Sequence, residues 1–196
     1  MSQPIIPGKL SRPPRPAGYL PRPRLENLWD DWRRRRLVLV TAGAGFGKTS
    51  LLAAVTAACT RPVAWYSLDE MDADPAVFRD HLLAAVSAGE SRGGGDDARD
   101  LAKTVRVLRD RERGSVLILD DLGVEKENEW VTEKLFQILN RRYQAELPTV
   151  IITNCRLEEL EPRIYDRLSD DDLCTRCQIL APSYRQRRSS PGAVIS

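Results

Sequence analysis

The sequence lacks the long apolar run that a membrane-spanning helix needs. No hydrophobic stretch approaches about 18–20 residues, and the first thirty residues are rich in Pro and Arg without the apolar segment of a signal peptide. We therefore expect neither a membrane anchor nor a signal peptide.

Cysteine is also scarce. Four cysteines in 196 residues do not form a disulfide framework, so we expect a protein of the reducing cytoplasm.

The composition excludes disordered, fibrous and collagen-like classes. With 42% hydrophobic and 30% charged residues, the chain has enough apolar material for one core. Its length fits one compact domain with a short appendage, and there is no internal repeat.

Seven prolines hold residues 1–24 extended, which predicts an N-terminal arm rich in Pro and Arg. We place the domain at 25–182 and a flexible basic tail at 183–196.

The formal charge of +2 conceals an uneven distribution. Residues 1–36 carry nine Lys and Arg against three Asp and Glu, which leaves 21 basic and 25 acidic residues in the remainder. The run Arg33, Arg34, Arg35 and Arg36 is either a contact surface for nucleic acid or a solvated cluster that precedes a buried strand.

Short apolar runs alternate with helical patterns along the chain. We predict strands at 37–41, 62–68, 115–120, 149–153 and 177–180, since such runs are typical of strands buried on both faces of a parallel sheet. Between them we predict helices at 49–59, from Pro75 after the N-cap Asp74, at 98–111 and around 131–139, and a segment that is mostly helix at 157–168. This alternation predicts right-handed crossovers and a three-layer α/β fold.

A glycine-rich loop follows the first predicted strand. Residues 42–49 read Ala-Gly-Ala-Gly-Phe-Gly-Lys-Thr, the phosphate-loop pattern with alanine in place of its first glycine. Glycines let consecutive N–H groups point at phosphate oxygens, and the following helix N-terminus adds positive partial charge. Lys48 supplies a charge for the β- and γ-phosphates, and the Thr49 hydroxyl is a ligand for Mg²⁺. The predicted nucleotide-binding residues are Gly43, Ala44, Gly45, Phe46, Gly47, Lys48, Thr49 and Ser50.

Two carboxylates end the strand predicted at 115–120. In phosphate-loop enzymes the first carboxylate holds Mg²⁺ and the next acidic residue polarises the attacking water, so we assign Asp120 to the metal and Asp121 to catalysis. Asp121 is one methylene shorter than the glutamate of many such ATPases. Asn154 ends the strand at 149–153, and we assign it to sensing the γ-phosphate or orienting water. A plain strand-terminating turn residue is the alternative for Asn154.

Five segments of the second half carry a resemblance to a known family. They are Val-Leu-Ile-Leu-Asp-Asp-Leu-Gly-Val-Glu-Lys (116–126), Glu-Trp-Val (129–131), Leu-Pro-Thr-Val-Ile-Ile-Thr-Asn (147–154), Leu-Glu-Glu-Leu (157–160) and Pro-Ser-Tyr-Arg (182–185). With these segments, residues 103–188 resemble the DnaC/DnaI-type replicative helicase loaders and the related IstB-type transposition ATPases. The resemblance implies single-stranded DNA and a replicative helicase as partners, and a homo-oligomer in the ATP-bound state. It also implies a catalytic arginine that acts across a subunit interface, for which Arg167 is the best match and a solvated helix charge the alternative.

The first half resembles a different family. Four segments carry this resemblance: Lys-Leu-Ser-Arg-Pro (9–13), Arg-Pro-Arg-Leu (22–25), the glycine-rich loop and Val-Ala-Trp-Tyr-Ser-Leu-Asp-Glu (63–70). With these segments, residues 9–86 are similar to the nucleotide-binding domain of MalT-like transcriptional activators of the LuxR family, a branch of the STAND signalling NTPases. The two resemblances meet in the Gly-rich stretch near residue 92.

Both families share one core, so both resemblances imply the same fold. It is a three-layer αβα P-loop NTPase of the ASCE class (AAA+/STAND type) with a five-stranded parallel sheet of order 5-1-4-3-2. A natural or chimeric chain that joins the two halves retains this core. The implied activity is an ATPase with ATP and Mg²⁺ as cofactors, which couples ATP binding and hydrolysis to protein and DNA remodelling. The alternatives are a signalling or transcription-regulatory switch with slow hydrolysis, and a nucleotide-binding fold without turnover.

Two further features do not indicate a site. Cys174 and Cys177 have the spacing of a zinc knuckle, but no second pair accompanies them, and a structural zinc needs four ligands. We expect His81, the one histidine of the chain, to be a partly buried surface residue of a helix.

Overall fold

A computed structural model describes residues 4–87, 115–123 and 128–179 of the chain. The strands of these residues are β1 (Leu37–Thr41), β2 (Val63–Ser67), β3 (Val116–Asp120), β4 (Thr149–Thr153) and β5 (Thr175–Gln178). The helices are α1 (Pro23–Glu26), α2 (Trp29–Trp32), α3 (Lys48–Thr56), α4 (Pro75–Ser87), α5 (Glu129–Gln144) and α6 (Pro162–Ser169). The helix predicted at 98–111 and the tail predicted at 183–196 lie outside the described residues.

The five strands form one parallel sheet with the order β2-β3-β4-β1-β5. Counted from the other edge, this is the predicted order 5-1-4-3-2, which is confirmed. β1 lies between β4 and β5, so Val38 is paired with Val150 on one side and with Thr175 on the other. β5 begins two residues earlier than predicted. It is an edge strand, and the sequence signal of an edge strand is weak. Its residues are alternately half-buried and exposed, whereas the prediction looked for a continuous apolar run.

Apolar side chains on both faces of the sheet make the three predicted layers. On one face Leu39, Tyr66 and Leu119 pack with residues of α4, α5 and α6. On the other face Val40 and Ile152 pack with residues of α1, α2 and α3. The inner strands are therefore buried on both sides, as their continuous Val, Ile and Leu runs indicate. Within the described part of the chain, no helix combines the length and apolarity needed to cross a bilayer.

A side-chain cap fixes where α4 begins. Asp74 Oδ1 accepts hydrogen bonds from the backbone N–H groups of Ala76 and Val77, at 2.7 and 3.1 Å, as expected of the predicted N-cap. The segment predicted to be mostly helix, 157–168, is a 3₁₀ turn at Leu157–Glu159 followed by α6. Pro162 explains the break, since proline favours the first position of a helix and holds the preceding residue extended.

The N-terminal arm lies against the domain. Lys9 is buried, and its Nζ donates to Asp69 Oδ1 at 2.8 Å and to Asp72 Oδ2 at 2.6 Å. The backbone N–H of Ile6 donates to Nε2 of His81 at 3.1 Å. His81 is only 2% exposed, so the expectation of a partly buried surface residue is wrong. His81 lies on the buried face of α4, three residues after Phe78 and four before Ala85, and the arm contacts it from the other side.

Candidate nucleotide-binding site

The predicted nucleotide residues meet at the carboxyl edge of the sheet. β4 lies between β1 and β3, so the chain segments that leave these three strands are neighbours in space. A cavity of about 510 Å³ opens there, within the usual range for small-molecule sites. Its lining residues are Pro16, Gly18, Tyr19, Leu20, Arg22, Ala44, Gly45, Gly47, Lys48, Thr49, Ser50, Asp121 and Asn154.

The glycine-rich loop forms a tight turn between β1 and α3. Gly45 and Gly47 have φ angles of +81° and +78°, in the left-handed region that glycine tolerates best. Gly43 and Phe46 do not line the cavity but close the turn, since the Phe46 N–H donates to the Gly43 carbonyl at 3.3 Å. Gly47 is the N-cap of α3, so the N-terminus of this helix faces the cavity.

Lys48 is held at the centre of the site. Its Nζ donates to the carbonyls of Ala42 and Gly43, at 2.7 and 3.0 Å, and to Oδ1 of Asn154. The residue is only 5% exposed, and burial lowers the pKa of its ammonium group while the carboxylates of Asp121 and Asp120 oppose that change. The cation therefore rests on neutral oxygens, and Lys48 is one of the residues that line the cavity.

Thr49 and Asp120 bring two hard oxygen ligands together. Thr49 Oγ1 donates to Asp120 Oδ1 at 3.2 Å. Burial is the main cause that raises the pKa of Asp120 to about 6, and the carboxylate of Asp121 adds to it. The Thr49 hydroxyl and the Lys48 ammonium group oppose this rise. The Asp120 carboxylate thus lacks full charge compensation within the chain, which suits a site for a divalent cation.

Asp121 leaves the ladder of β3 in an unusual backbone conformation. Its φ angle is +60°, in a region that Asp adopts more readily than most residues but at some cost. The following residue, Leu122, is fixed to β4, because its N–H donates to the Ile152 carbonyl at 3.0 Å. Asn154 Nδ2 donates to Asp121 Oδ1 at 2.5 Å. The side chain of Asn154 thus connects Lys48 to Asp121.

Arg167 does not join this group. Its Nη2 donates to Oδ1 of Asn140 at 2.7 Å, and its guanidinium lies 5.8 Å from the Phe136 ring centroid and 5.4 Å from that of Tyr143. These three residues belong to α5. A group that acts in a neighbouring subunit is expected to lie away from the site of its own chain.

Sequence reasoning missed one wall of the cavity. Five arm residues line it, and Arg22 contacts the loop itself, donating from Nη1 to the Phe46 carbonyl at 2.8 Å. The arm has no hydrophobic periodicity, so its position could not be inferred from the pattern. The one local indication was Pro23, because proline favours the first position of a helix and Arg22 directly precedes it at the start of α1.

Most of the arginine run has acidic partners. Arg33 and Arg35 form ion pairs with Asp30 and Asp31, at 2.8 and 3.2 Å, and Arg36 forms one with Glu146. These pairs are exposed and weak, but they reduce the positive potential that the run offers to a phosphate backbone.

The cysteine pair does not converge on one point. Cys174 belongs to the core on the α4–α6 face of the sheet, whereas Cys177 packs against the core on the other face. Two side chains that pack on opposite faces of the sheet do not point at a common ion.

Comparisons with curated proteins support the resemblance to MalT-like regulators. The HTH-type transcriptional regulators MalT of Cronobacter sakazakii and Serratia proteamaculans are 43% and 44% identical to this chain over 82 residues, or 42% of the chain. The chain spans 9% of the length of these curated relatives. No family model matches the sequence. The MalT-like segment predicted from the sequence is confirmed.

Solved structures of AAA+ proteins share the fold. The replication initiator DnaA bound to AMPPCP and single-stranded DNA matches 82% of this chain and 46% of its own, with 18% identity and a TM-score of 0.52. The Aeropyrum pernix ORC1 protein in complex with DNA matches 83% of this chain and 46% of its own, with 20% identity and a TM-score of 0.52. The DnaC helicase loader matches 80% of this chain and 86% of its own, with 20% identity and a TM-score of 0.48. The chain has an AAA+ P-loop NTPase fold, and the first two structures carry this conclusion.

Proposed function

We propose that the chain binds ATP with Mg²⁺ in the cavity at the carboxyl edge of the sheet and hydrolyses it. The observation that carries the proposal is the continuous polar network from Asp121 through Asn154 to Lys48, next to the pair Thr49 and Asp120. A structural turn between strand and helix does not need a buried lysine and two carboxylates at one point.

ATP binding uses groups that are already in place. Lys48 Nζ exchanges the carbonyls of Ala42 and Gly43 for phosphate oxygens, and the N-terminus of α3 adds positive partial charge. The exchange replaces neutral acceptors by charged ones, which makes the hydrogen bonds of the ammonium group stronger. A DnaA structure of the same fold is bound to AMPPCP, which supports a nucleoside triphosphate as the ligand.

The residues present fit a magnesium ion. Thr49 Oγ1 and the Asp120 carboxylate would hold it, because both are hard oxygen ligands and the carboxylate has a raised pKa that a cation would lower again. When bound, the ion supplies positive charge beside the β- and γ-phosphates.

Hydrolysis requires a base near the attacking water. Asp121 is exposed to the cavity, and the amide of Asn154 fixes the orientation of its carboxylate. Asp121 polarises the water and takes its proton, while Asn154 senses the γ-phosphate through its contacts to both Lys48 and Asp121. Arg167 completes the site from a neighbouring subunit in an ATP-bound homo-oligomer.

The cellular role we propose follows the loader resemblance. ATP binding and hydrolysis would be coupled to remodelling of a complex with single-stranded DNA and a replicative helicase. A second candidate is a transcription-regulatory nucleotide switch with slow or no hydrolysis. The 43% identity to MalT regulators over 82 residues favours that candidate for the first half of the chain.

A binding experiment tests the core of the proposal. In calorimetry with Mg·ATP, Lys48→Ala is expected to weaken binding by at least about tenfold, because a hydrogen bond to a charged group contributes roughly 1.5–3 kcal/mol. The matched control is Lys134→Ala, which removes the same charge from α5, where Nζ contacts Gln137. Equal ATP affinity in the Lys48→Ala variant and the parent would refute the nucleotide site.

Turnover and partner assays separate the roles. Asp121→Asn should bind Mg·ATP as the parent does and release no phosphate. Unchanged phosphate release would show that Asp121 is not the base.

AMPPCP-dependent association with single-stranded DNA and a hexameric helicase is the result expected of a loader. A switch would give nucleotide binding with slow hydrolysis and no such association.

A further inference from the structure

The guanidinium of Arg22 contacts the phosphate loop at the edge of the cavity that both line. Its Nη1 donates to the Phe46 carbonyl at 2.8 Å, and its Nη2 lies 3.0 Å from the point where a Cβ on Gly47 would stand. We propose that Arg22 is a positioning residue, which orients the peptide group between Phe46 and Gly47 for a nucleotide that carries a β-phosphate. The inference rests on the proposed binding of ATP.

The planarity of the peptide group gives the contact its effect. In a trans peptide the carbonyl and the following N–H point in opposite directions within one plane. A hydrogen bond that holds the Phe46 carbonyl toward Arg22 therefore directs the N–H of Gly47 away from Arg22. Gly47 has a left-handed φ of +78°, so this peptide group is one of the points at which the loop curls.

The charge of Arg22 adds a second effect. A hydrogen bond from a cation to a carbonyl is stronger than one between neutral groups, and it polarises the whole peptide unit. The N–H of Gly47 thereby becomes a better donor to an anion. Lys48 holds the start of the loop through the carbonyls of Ala42 and Gly43, so the two cations fix the loop at both ends.

Contacts within the arm hold Arg22 itself in place. Its backbone N–H donates to Oε1 of Glu26 at 2.7 Å, and the Tyr19 hydroxyl donates to the same oxygen at 2.6 Å. This arrangement fixes the backbone of Arg22 at the start of α1. Lys9 anchors the arm at a distant point through Asp69 and Asp72. The arm thus presents the guanidinium to the loop before any nucleotide is bound.

Isotope labelling can observe this peptide group alone. The chain has three phenylalanines, and Phe46 is the one that precedes a glycine. Protein with ¹³C-carbonyl Phe and ¹⁵N Gly therefore gives a single carbonyl-coupled amide signal, that of Gly47. In the nucleotide-free protein, Arg22→Ala should shift this signal, and Arg24→Ala should not. Arg24 is the matched control, because it is an exposed arginine of the same arm.

Binding measurements give the second readout. Arg22→Ala should weaken Mg·ATP and Mg·ADP binding by about tenfold and leave AMP affinity within about twofold, because the effect acts on the β-phosphate. Arg22→Lys keeps the charge without the planar fork and should recover part of the loss. Arg24→Ala should bind all three nucleotides as the parent does.

The outcomes distinguish this inference from the proposed function. A parent chain that binds no ATP refutes the proposed function. If the parent binds ATP, an unshifted Gly47 signal in nucleotide-free Arg22→Ala overturns the inference. An equal loss of affinity for AMP and ADP also overturns it, since Arg22 would then act on the base or the ribose.

Discussion

Removal of the Asp120 charge is expected to stabilise the nucleotide-free and metal-free protein. Asp120 ends β3 with 3% exposure, and burial together with the Asp121 carboxylate raises its pKa from 3.8 to about 6. At neutral pH the Asp120 carboxylate is therefore charged, and it takes up a proton more readily in the folded chain than in the unfolded chain. Asp120→Asn removes this charge and keeps an Oδ1 acceptor for the Thr49 hydroxyl.

The size and sign of the effect follow from the pKa. A rise from 3.8 to about 6 corresponds to roughly 3 kcal/mol of unfavourable free energy once the group is ionised. Between these two values the folded state binds more protons than the unfolded state, so the stability of the parent falls as the pH rises through this window. The gain from Asp120→Asn should be near zero at pH 4 and reach roughly 1–3 kcal/mol above pH 7.

Urea unfolding with a chelator present measures this difference at several pH values. Asp166→Asn is the matched control, because Asp166 is an exposed aspartate of α6 and its replacement should change stability little at any pH. In Mg·ATP titrations the same Asp120→Asn variant should lose the Mg²⁺-dependent increase in affinity. A variant less stable than the parent at pH 8, or equally stabilised at pH 4 and pH 8, would refute the reasoning.

Three further substitutions test separate parts of the molecule. Lys9→Met leaves the fully buried Asp72 without its cation and should lower the free energy of unfolding by roughly 3–5 kcal/mol in urea, and a loss below about 1 kcal/mol would contradict the buried pair. Gly47→Ala places a Cβ in a left-handed conformation and should cost about 1–2 kcal/mol in the same assay, whereas Ala44→Gly should not. Arg167→Ala should lower phosphate release by roughly 10³-fold or more. Specific activity of the parent should rise with protein concentration, and activity independent of concentration would exclude a trans arginine.

The sequence predicted the sheet well because four of its strands have strong local signals. β1 and β4 lie at the predicted residues, since Leu-Val-Leu-Val-Thr and Thr-Val-Ile-Ile-Thr are short apolar runs bounded by polar or glycine-containing segments. The glycine-rich loop and the Asp120–Asp121 pair were also evident, because each has a fixed position relative to a buried strand. The predicted range of β5 was two residues too late, because an edge strand with alternating burial has a weak hydrophobic pattern.

Contacts of the arm could not be predicted from local patterns. Lys9 and Asp72 are 63 residues apart, and Arg22 and Phe46 are 24 apart. A proline-rich segment without periodicity gives no indication of the surface it covers. The contact between Ile6 and His81 depends on the same segment, as does one wall of the cavity. The phosphate loop could therefore be located from the sequence, but the groups that brace and cover it could not.

The order of the strands shows that the two resemblances do not correspond to two domains. The MalT-like half supplies β1 and β2, but these strands are not paired with each other. β1 pairs with β4 and β5, and β2 pairs with β3, all from the loader-like half. The site crosses the same boundary, because Lys48 contacts Asn154 and Thr49 contacts Asp120. Neither half contains all five strands or both parts of the site, so any chain that joins two such halves must match them in strand register and in chemistry at once.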